Sequence, residues 1–203
     1  MIKKYFIADN HFYHSNILKY LDRKFQSVEE MDQHMIEQWN LKVPKDGIVY
    51  HIGDLAFLTR NAVEEMAKLV EQLNGQIILV TGNHDLIAHK KPDEILKATN
   101  KIAQITPYKE IKVQDSEIGE KYKQKIVMSH YPFLRWHHVG QGSWHLFGHV
   151  HGTLGQGHTP QALDVGVDGP NITNYQPLSY EEVKTIITRR LLEQEAETKP
   201  WKS

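Results

Sequence analysis

The stretch Ile77-Ile78-Leu79-Val80-Thr81-Gly82-Asn83-His84-Asp85 joins four apolar residues to a polar turn. Its apolar part is typical of a strand that is buried on both faces, and the turn carries an amide, an imidazole and a carboxylate. Just before it, residues 61–73 have apolar side chains at helical spacing and end at Asn74-Gly75. The stretch therefore predicts a strand of a parallel sheet with a polar loop at its carboxyl end.

Two similar apolar runs precede this strand along the chain. Lys4 to Ala8 leads into Asp9-Asn10-His11, and Ile48 to Ile52 leads into Gly53-Asp54. Between them, Ser27-Val28-Glu29-Glu30 has the pattern of a capping box, with Ser27 as the N-cap of a helix. Helices that alternate with continuously apolar strands predict a parallel sheet covered on both faces.

The second half of the chain has a different pattern. Segments 110–113 and 125–128 flank a polar turn and predict an antiparallel hairpin. Residues 162–168 predict a late strand, and Ser179 begins a last helix through Leu191. We expect one domain over residues 1–192 and a polar C-terminal tail over 193–203 that frays.

Composition excludes several classes of protein and site. The 203 residues include 24 Lys and Arg and 25 Asp and Glu, so no bulk charge favours nucleic-acid coating or membrane-surface binding. There is no cysteine, which excludes disulfides and Cys-ligated zinc or iron–sulfur sites. No apolar run is long enough for a membrane span, and the first residues lack a signal-peptide pattern, so we expect a cytoplasmic protein without a membrane partner.

Metal-capable side chains follow the predicted strands. They are Asp9, His11, Asp54, Asn83, His84, Asp85, His130, His149 and His151. The carboxyl ends of strands in an open α/β sheet line one rim, so these groups can converge. Imidazole, carboxylate and amide ligands suit divalent first-row metals, and the set exceeds what one ion needs. Two ions about 3.5–4 Å apart, bridged by a carboxylate and a water, would clamp a phosphoryl group.

Each motif alone also has a purely structural interpretation. Asp9 could cap the following helix, Gly53-Asp54 could form a turn, and Gly82-Asn83 could form a left-handed turn with Asp85 as an N-cap. His149 and His151 could be a polar rim. The joint occurrence of all the motifs in order, each after a strand, favours the metal interpretation.

These motifs, Asp9-Asn10-His11, Gly53-Asp54, Gly82-Asn83-His84-Asp85, His130 and Gly148-His149-Val150-His151, resemble those of the calcineurin-like metallophosphoesterases. The resemblance spans about Tyr5 to Tyr180, and within the superfamily the chain is similar to small bacterial and phage predicted phosphoesterases. It implies an α/β fold of two packed mixed β-sheets flanked by α-helices, in a four-layer α/β/β/α sandwich.

The resemblance also implies a site. A first metal would be held by Asp9, His11 and His151, and a second by Asn83, His130 and His149, with Asp54 as the bridge; we call these residues the candidate ligand set. His84 would be the general acid, with Asp85 as its orienting partner. The implied function is a dinuclear-metal-dependent phosphoester hydrolase whose nucleophile is a metal-bridging hydroxide. Manganese is the first expectation for the two divalent ions, with iron, zinc, nickel, cobalt and magnesium as alternatives.

The substrate is less defined. A phosphodiesterase acting on a nucleotide or a nucleic-acid end is favoured because the chain is small and carries no added nucleic-acid module; a phosphomonoesterase, a nuclease and a non-catalytic scaffold are alternatives. In the loop Phe133 to Trp144, Arg135 could clamp phosphate and Trp136 or Trp144 could stack a base, or the tryptophans could pack beneath a surface loop. His14 either touches phosphate or caps its helix. The remaining histidines singled out, interpreted as ordinary polar or packed residues, are His34, His51, His89, His145 and His158.

Overall fold

Two β-sheets lie at the centre of the computed structural model of this chain, which describes residues 2–58, 62–115, 117, 119, 121–154 and 159–198. The first sheet has the order β4-β3-β2-β1-β9 and contains β1 (Lys4–Ile7), β2 (Ile48–His51), β3 (Gln76–Val80), β4 (Ile102–Thr106) and β9 (Leu178–Ser179). Strands β1 to β4 are parallel, and β9 runs antiparallel to β1.

The second sheet has the order β5-β6-β7-β8, formed by β5 (Lys109–Gln114), β6 (Lys123–Met128), β7 (Trp144–Phe147) and β8 (Ala162–Asp164). Strands β5 and β6 form the predicted antiparallel hairpin, and the β6–β7 and β7–β8 pairs are parallel. The fold is therefore α/β with two mixed sheets flanked by helices, which confirms the predicted fold class.

The helices are α1 (Ile17–Tyr20), α2 (Val28–Lys42), α3 (Ala62–Glu71), α4 (Leu86–Lys90), α5 (Pro92–Ala98) and α6 (Tyr180–Thr198), and a 3-10 turn covers Val139–Gln141. Helix α2 begins as predicted, because the Ser27 hydroxyl accepts a hydrogen bond from the Glu30 backbone N–H at 3.2 Å. Asn61, at the predicted start of α3, lies outside the described residues. Helix α6 continues into the segment predicted as a fraying tail and ends at Thr198, and residues 199–203 lie outside the described part of the chain.

Both faces of the first sheet are buried, which explains its continuously apolar strands. One face packs against the second sheet through Phe6, Tyr50, Val80, Ile126, Leu146 and Leu163. The other packs against α2, α3 and α5 through Ile7, Val49, Leu79, Met35, Trp39, Leu69 and Ile95. Neighbouring residues of a strand point to opposite faces, so an apolar residue at every position serves both layers.

The predicted late strand over residues 162–168 is shorter than expected. Strand β8 ends at Asp164, and the next residues bond to the first sheet: the Ala8 N–H donates to the Val165 carbonyl at 2.9 Å and the Val167 N–H to the Ala8 carbonyl at 3.0 Å. This crossing places Gly166 beside the end of β1. It connects the two sheets at the point where the candidate ligands gather.

Strand β4 and the short helices α4 and α5 were not singled out by the sequence. Helices of five and seven residues are too short for a helical period to stand out. Among the described residues, no helix combines the length and the apolar character that a membrane crossing requires.

Candidate metal centre

The loops that follow β1, β2, β6 and β7 bring carboxylates and imidazoles together. Ligand atoms of Asp9, His11 and His151 lie within 4.8 Å of one another, and so do those of Asp9, Asp54 and His130. Asp9 belongs to both groups, and all of these residues except the half-buried His151 are buried. The chain thus holds buried Asp and His groups that could bind a metal ion.

Asp54 lies between the imidazoles of the two groups. Its Oδ2 is 3.6 Å from His11 Nε2 and 3.3 Å from His130 Nε2. His130 Nδ1 lies 2.9 Å from the Ile52 carbonyl, to which it donates, and this directs Nε2 toward Asp54. The position of Asp54 between the two groups is compatible with the bridging role that the resemblance implies.

The remaining members of the candidate ligand set adjoin His130. Asn83 Oδ1 lies 3.2 Å from His130 Nε2, and the His149 ring centroid lies 5.2 Å from that of His130. The His149 backbone N–H also donates to both Asp9 carboxylate oxygens, at 3.1 and 3.0 Å. The structure therefore brings the whole candidate ligand set into one region.

The hydrogen bonding of His11 provides a test of whether these residues fit a metal. Both of its ring nitrogens are buried and have no hydrogen-bond partner among the described residues. A buried polar atom without a partner costs about 1–3 kcal/mol. A cation beside His11 would satisfy one nitrogen, so the site fits a metal ion.

The backbone around the site adopts an uncommon conformation. Left-handed φ angles of 61°, 54°, 56°, 71° and 47° occur at Asp9, His11, Asp54, His149 and His151. Such angles are uncommon for residues with side chains and cluster at functional sites. Five members of the candidate ligand set therefore share this backbone conformation.

Glycines leave space for the two acidic ligands. A Cβ at Gly148 or Gly166 would lie 2.6 or 2.4 Å from Asp9 Oδ2, and one at Gly82 would lie 2.2 Å from Asp54 Oδ1. Gly82 does not have a left-handed φ. The close approach of a carboxylate, rather than the left-handed turn considered above, explains glycine at this position.

Asp85 does not have the role that the resemblance implies. Its buried carboxylate accepts hydrogen bonds from the backbone N–H groups of Asp54, Leu55 and Gly82, at 2.8, 3.0 and 2.8 Å. Burial raises the pKa of Asp85 to about 6 despite these donors. Asp85 therefore ties the loop after β3 to the loop after β2, and it supports His84 through the backbone rather than by orienting its ring.

His84 and His14 line one side of the site. The half-buried His84 donates its backbone N–H to Asp54 Oδ1 at 2.8 Å, and its ring centroid lies 5.3 Å from that of His11. The His14 ring lies 5.9 Å from the His84 ring and 4.4 Å from Phe57. Asn16 is the N-cap of α1, so the helix-capping interpretation of His14 is wrong.

The ionisation of the site also suits a cation. Burial raises the pKa of Asp9 to about 7 and lowers the pKa of His11 to about 3. Burial opposes the charged forms of Asp54 and His130, but their hydrogen bond and mutual charge prevail, lowering the pKa of Asp54 and raising that of His130. His11 is therefore neutral, which is the form of imidazole that binds metals. Asp9 is only partly ionised near neutral pH, because the positive charge around it does not offset its burial.

Arg135 and Trp136 lie in the loop that was considered for substrate binding, whereas Trp144 is the first residue of β7. Trp136 and Trp144 are 7% and 4% exposed, and Trp136 Nε1 donates to the Ser143 hydroxyl at 3.0 Å. The base-stacking interpretation is therefore wrong: Trp136 packs beneath the loop with Phe133 and Val139, and Trp144 packs in the core against Tyr180. Arg135 is exposed and lines a surface cavity formed by Leu134, Val139, Gly140, Thr159 and Gln161, without a member of the candidate ligand set.

The other histidines are packed or polar, as expected. His51 and His145 are fully buried, His34 bonds to Asn174, and His89 bonds to the Gly82 carbonyl. His158 lies outside the described residues.

Two residues that contact the candidate ligands carry no clear signal in the sequence. Arg23 donates to the Asp9 carbonyl at 2.8 Å, and Asp168 accepts a hydrogen bond from His151 Nδ1 at 2.8 Å. Asp168 is the last residue of the segment predicted as the late strand, but the sequence pattern does not indicate that it contacts His151. Arg23 precedes α2 in a loop whose pattern gives no hint of burial.

Comparisons with known proteins support the fold assignment and bear on nothing else. No family model matches the chain. The chain is 46% identical over 90 residues to an uncharacterized protein of Methanocaldococcus jannaschii; the match covers 44% of this chain and 51% of that protein, so the chain spans about half the length of the curated relative it matches. The crystal structure of a protein of unknown function from Aquifex aeolicus superimposes with a TM-score of 0.66 over 92% of this chain and 100% of that chain, at 24% identity. The likeness to this second protein shows a shared α/β fold.

Proposed function

We propose that this chain is a dinuclear-metal-dependent phosphoester hydrolase. The observation that carries the proposal is the pair of overlapping Asp and His groups that share Asp9, with both nitrogens of buried His11 lacking a hydrogen-bond partner among the described residues. His84 belongs to neither group but lies directly beside them. Ligands for two cations next to a separate imidazole can supply both the cations and the general acid of metal-assisted phosphoester hydrolysis.

The candidate ligand set would divide between two sites. Asp9, His11 and His151 would hold the first ion, and Asn83, His130 and His149 the second, with Asp54 between them. When bound, two divalent cations lower the pKa of water and neutralise charge on a phosphoryl group. Imidazole and carboxylate ligands without thiolate suit manganese, our first expectation, as well as iron, zinc, nickel or cobalt.

His84 would donate a proton to the leaving oxygen. Its backbone N–H donates to Asp54, and this half-buried residue has its ring beside that of His11. Asp85 holds this loop by its three backbone hydrogen bonds. A positioned general acid typically contributes 10²–10⁴-fold to a rate.

A diester is the proposed substrate class. Tyr131 is 46% exposed, and its ring centroid lies 4.7 Å from that of His149. This aromatic surface beside the candidate ligands would support the second ester group, which a monoester lacks. A cytoplasmic location remains a prediction from the sequence.

The test is hydrolysis of matched aryl phosphodiester and phosphomonoester substrates by metal-stripped protein, with manganese, nickel, zinc and magnesium restored singly. We expect metal-dependent hydrolysis that is faster on the diester and is lost in Asp54→Asn. The control is His137→Ala, which removes an exposed imidazole bonded to Glu110. Faster monoester hydrolysis would instead indicate a phosphatase. No hydrolysis, with no metal binding by calorimetry, would leave the scaffold alternative.

A further inference from the structure

Arg23 is a buried arginine whose hydrogen bonds converge behind the candidate metal centre. It is 5% exposed, and its guanidinium donates to the backbone carbonyls of Asp9 and Asn10 at 2.8 and 2.9 Å. Nε and Nη2 also donate to the two Asp168 carboxylate oxygens, at 2.9 and 2.7 Å. One side chain thus connects the loop after β1 to the loop after β8.

Asp168 transmits this arrangement to a candidate ligand. Its Oδ2 accepts from His151 Nδ1 at 2.8 Å and from Arg23 Nη2 at 2.7 Å. With the proton on Nδ1, His151 presents Nε2 as the nitrogen able to bind a metal. The Arg23 fork holds both Asp168 oxygens, which restricts rotation of the carboxylate.

We propose that Arg23 and Asp168 are positioning residues that preorganise the first metal site, Asp168 by orienting His151 and Arg23 by holding Asp168 and the Asp9 backbone. This inference rests on the proposed function, because it requires that Asp9, His11 and His151 bind an ion. The reason for an arginine is geometric. A lysine is a point donor and could not bond both carboxylate oxygens and two backbone carbonyls at once.

The experiment measures Mn²⁺ binding by calorimetry in two backgrounds, each keeping one proposed site. His149→Ala leaves the first site, and His151→Ala leaves the second. In the first background, we expect Asp168→Asn and Arg23→Lys to weaken Mn²⁺ binding about 10–100-fold, the usual effect of losing an outer-shell partner. In the second background, Asp168→Asn should leave Mn²⁺ affinity nearly unchanged, because its effect requires the His151 ring.

Arg190→Lys is the matched control. Arg190 is 7% exposed and donates to the backbone carbonyls of Ala162 and Thr159. This control should leave Mn²⁺ affinity unchanged in both backgrounds. If Arg190→Lys weakens Mn²⁺ binding as much as Arg23→Lys does, Arg23 contributes only to general stability. If Asp168→Asn weakens Mn²⁺ binding equally with and without His151, Asp168 does not act through that ring. Either result would overturn the inference.

A measurement on the unmutated protein covers the case in which a variant does not fold. In the zinc-loaded chain, ¹⁵N NMR of the histidine rings should show His151 with a proton on Nδ1 and zinc on Nε2. Zinc on Nδ1 would overturn the inference. If the unmutated protein binds no Mn²⁺ or zinc, the proposed function fails; if it binds two ions and Asp168→Asn leaves both affinities unchanged, only this inference fails.

Discussion

Replacing Gly148 by alanine should displace the Asp9 carboxylate. A Cβ built at Gly148 lies 2.6 Å from both Ala8 Cβ and Asp9 Oδ2, whereas ordinary contacts begin at 3.4 Å. The new methyl group must therefore move its neighbours by about 0.8 Å, and overpacking of this kind costs about 1–3 kcal/mol of the free energy of unfolding. Asp9 belongs to both groups of possible ligands, so we expect binding of both ions to weaken.

The assay compares Gly148→Ala with Gly140→Ala. A Cβ at Gly140 has no atom within 4 Å, so this control should change the free energy of unfolding by no more than about 0.5 kcal/mol. For Gly148→Ala, thermal unfolding of the metal-free protein should show a melting temperature lower by about 2–4 °C for each kcal/mol lost. Mn²⁺ titration of both variants then reports the displacement of Asp9. Equal melting temperatures and equal Mn²⁺ affinities in the two variants would refute the steric reasoning.

Three further predictions address the acid, the pH dependence and the loop. His84→Ala should retain metal binding and lose about 10²–10⁴-fold in turnover, most for poor leaving groups; equal losses on good and poor leaving groups, measured with a series of aryl diesters, would exclude an acid role. Burial raises the pKa of Asp9 to about 7, above the 3.8 of an exposed aspartate, so the metal-free folded state keeps a proton that the unfolded state has released. The free energy of unfolding of the metal-free protein should fall as pH rises from about 4 to 7, with Asp32 and Asp85 contributing in the same direction because burial also raises their pKa values, to about 7 and about 6. The melting-temperature gain on adding Mn²⁺ should be larger at pH 8 than at pH 5.5; calorimetric scans check both, the slope with pH should be smaller in Asp9→Asn, and an unchanged slope would exclude a contribution from Asp9. Trp136→Ala should cost about 3–5 kcal/mol of the free energy of unfolding because the indole is buried; in denaturant titrations and kinetic assays, a raised KM without loss of stability would restore a substrate-contacting role.

Much of the fold could be predicted from local patterns. The apolar runs at β1, β2 and β3, the Ser27 cap and the hairpin of β5 and β6 each depend on residues close together in the chain. The extent of the late strand could not be predicted, because after Asp164 the chain passes from the second sheet to the first: the Val165 N–H still donates to Phe147 of β7, but the Val165 carbonyl and the Val167 N–H bond to Ala8. That choice depends on a strand more than 150 residues away in sequence.

Residue types and their order along the chain were sufficient to name the candidate ligand set. Carboxylates and imidazoles after parallel strands converge because those strands end at one edge. The tertiary structure alone decided how these groups are held. The Asp85 carboxylate accepts from three backbone donors instead of contacting the His84 ring, Trp136 lies beneath its loop, and Arg23 reaches Asp168 across the fold. The physical reason is that a side chain's partners depend on distance and direction in the folded chain, and sequence spacing sets these only within a single helix, strand or turn.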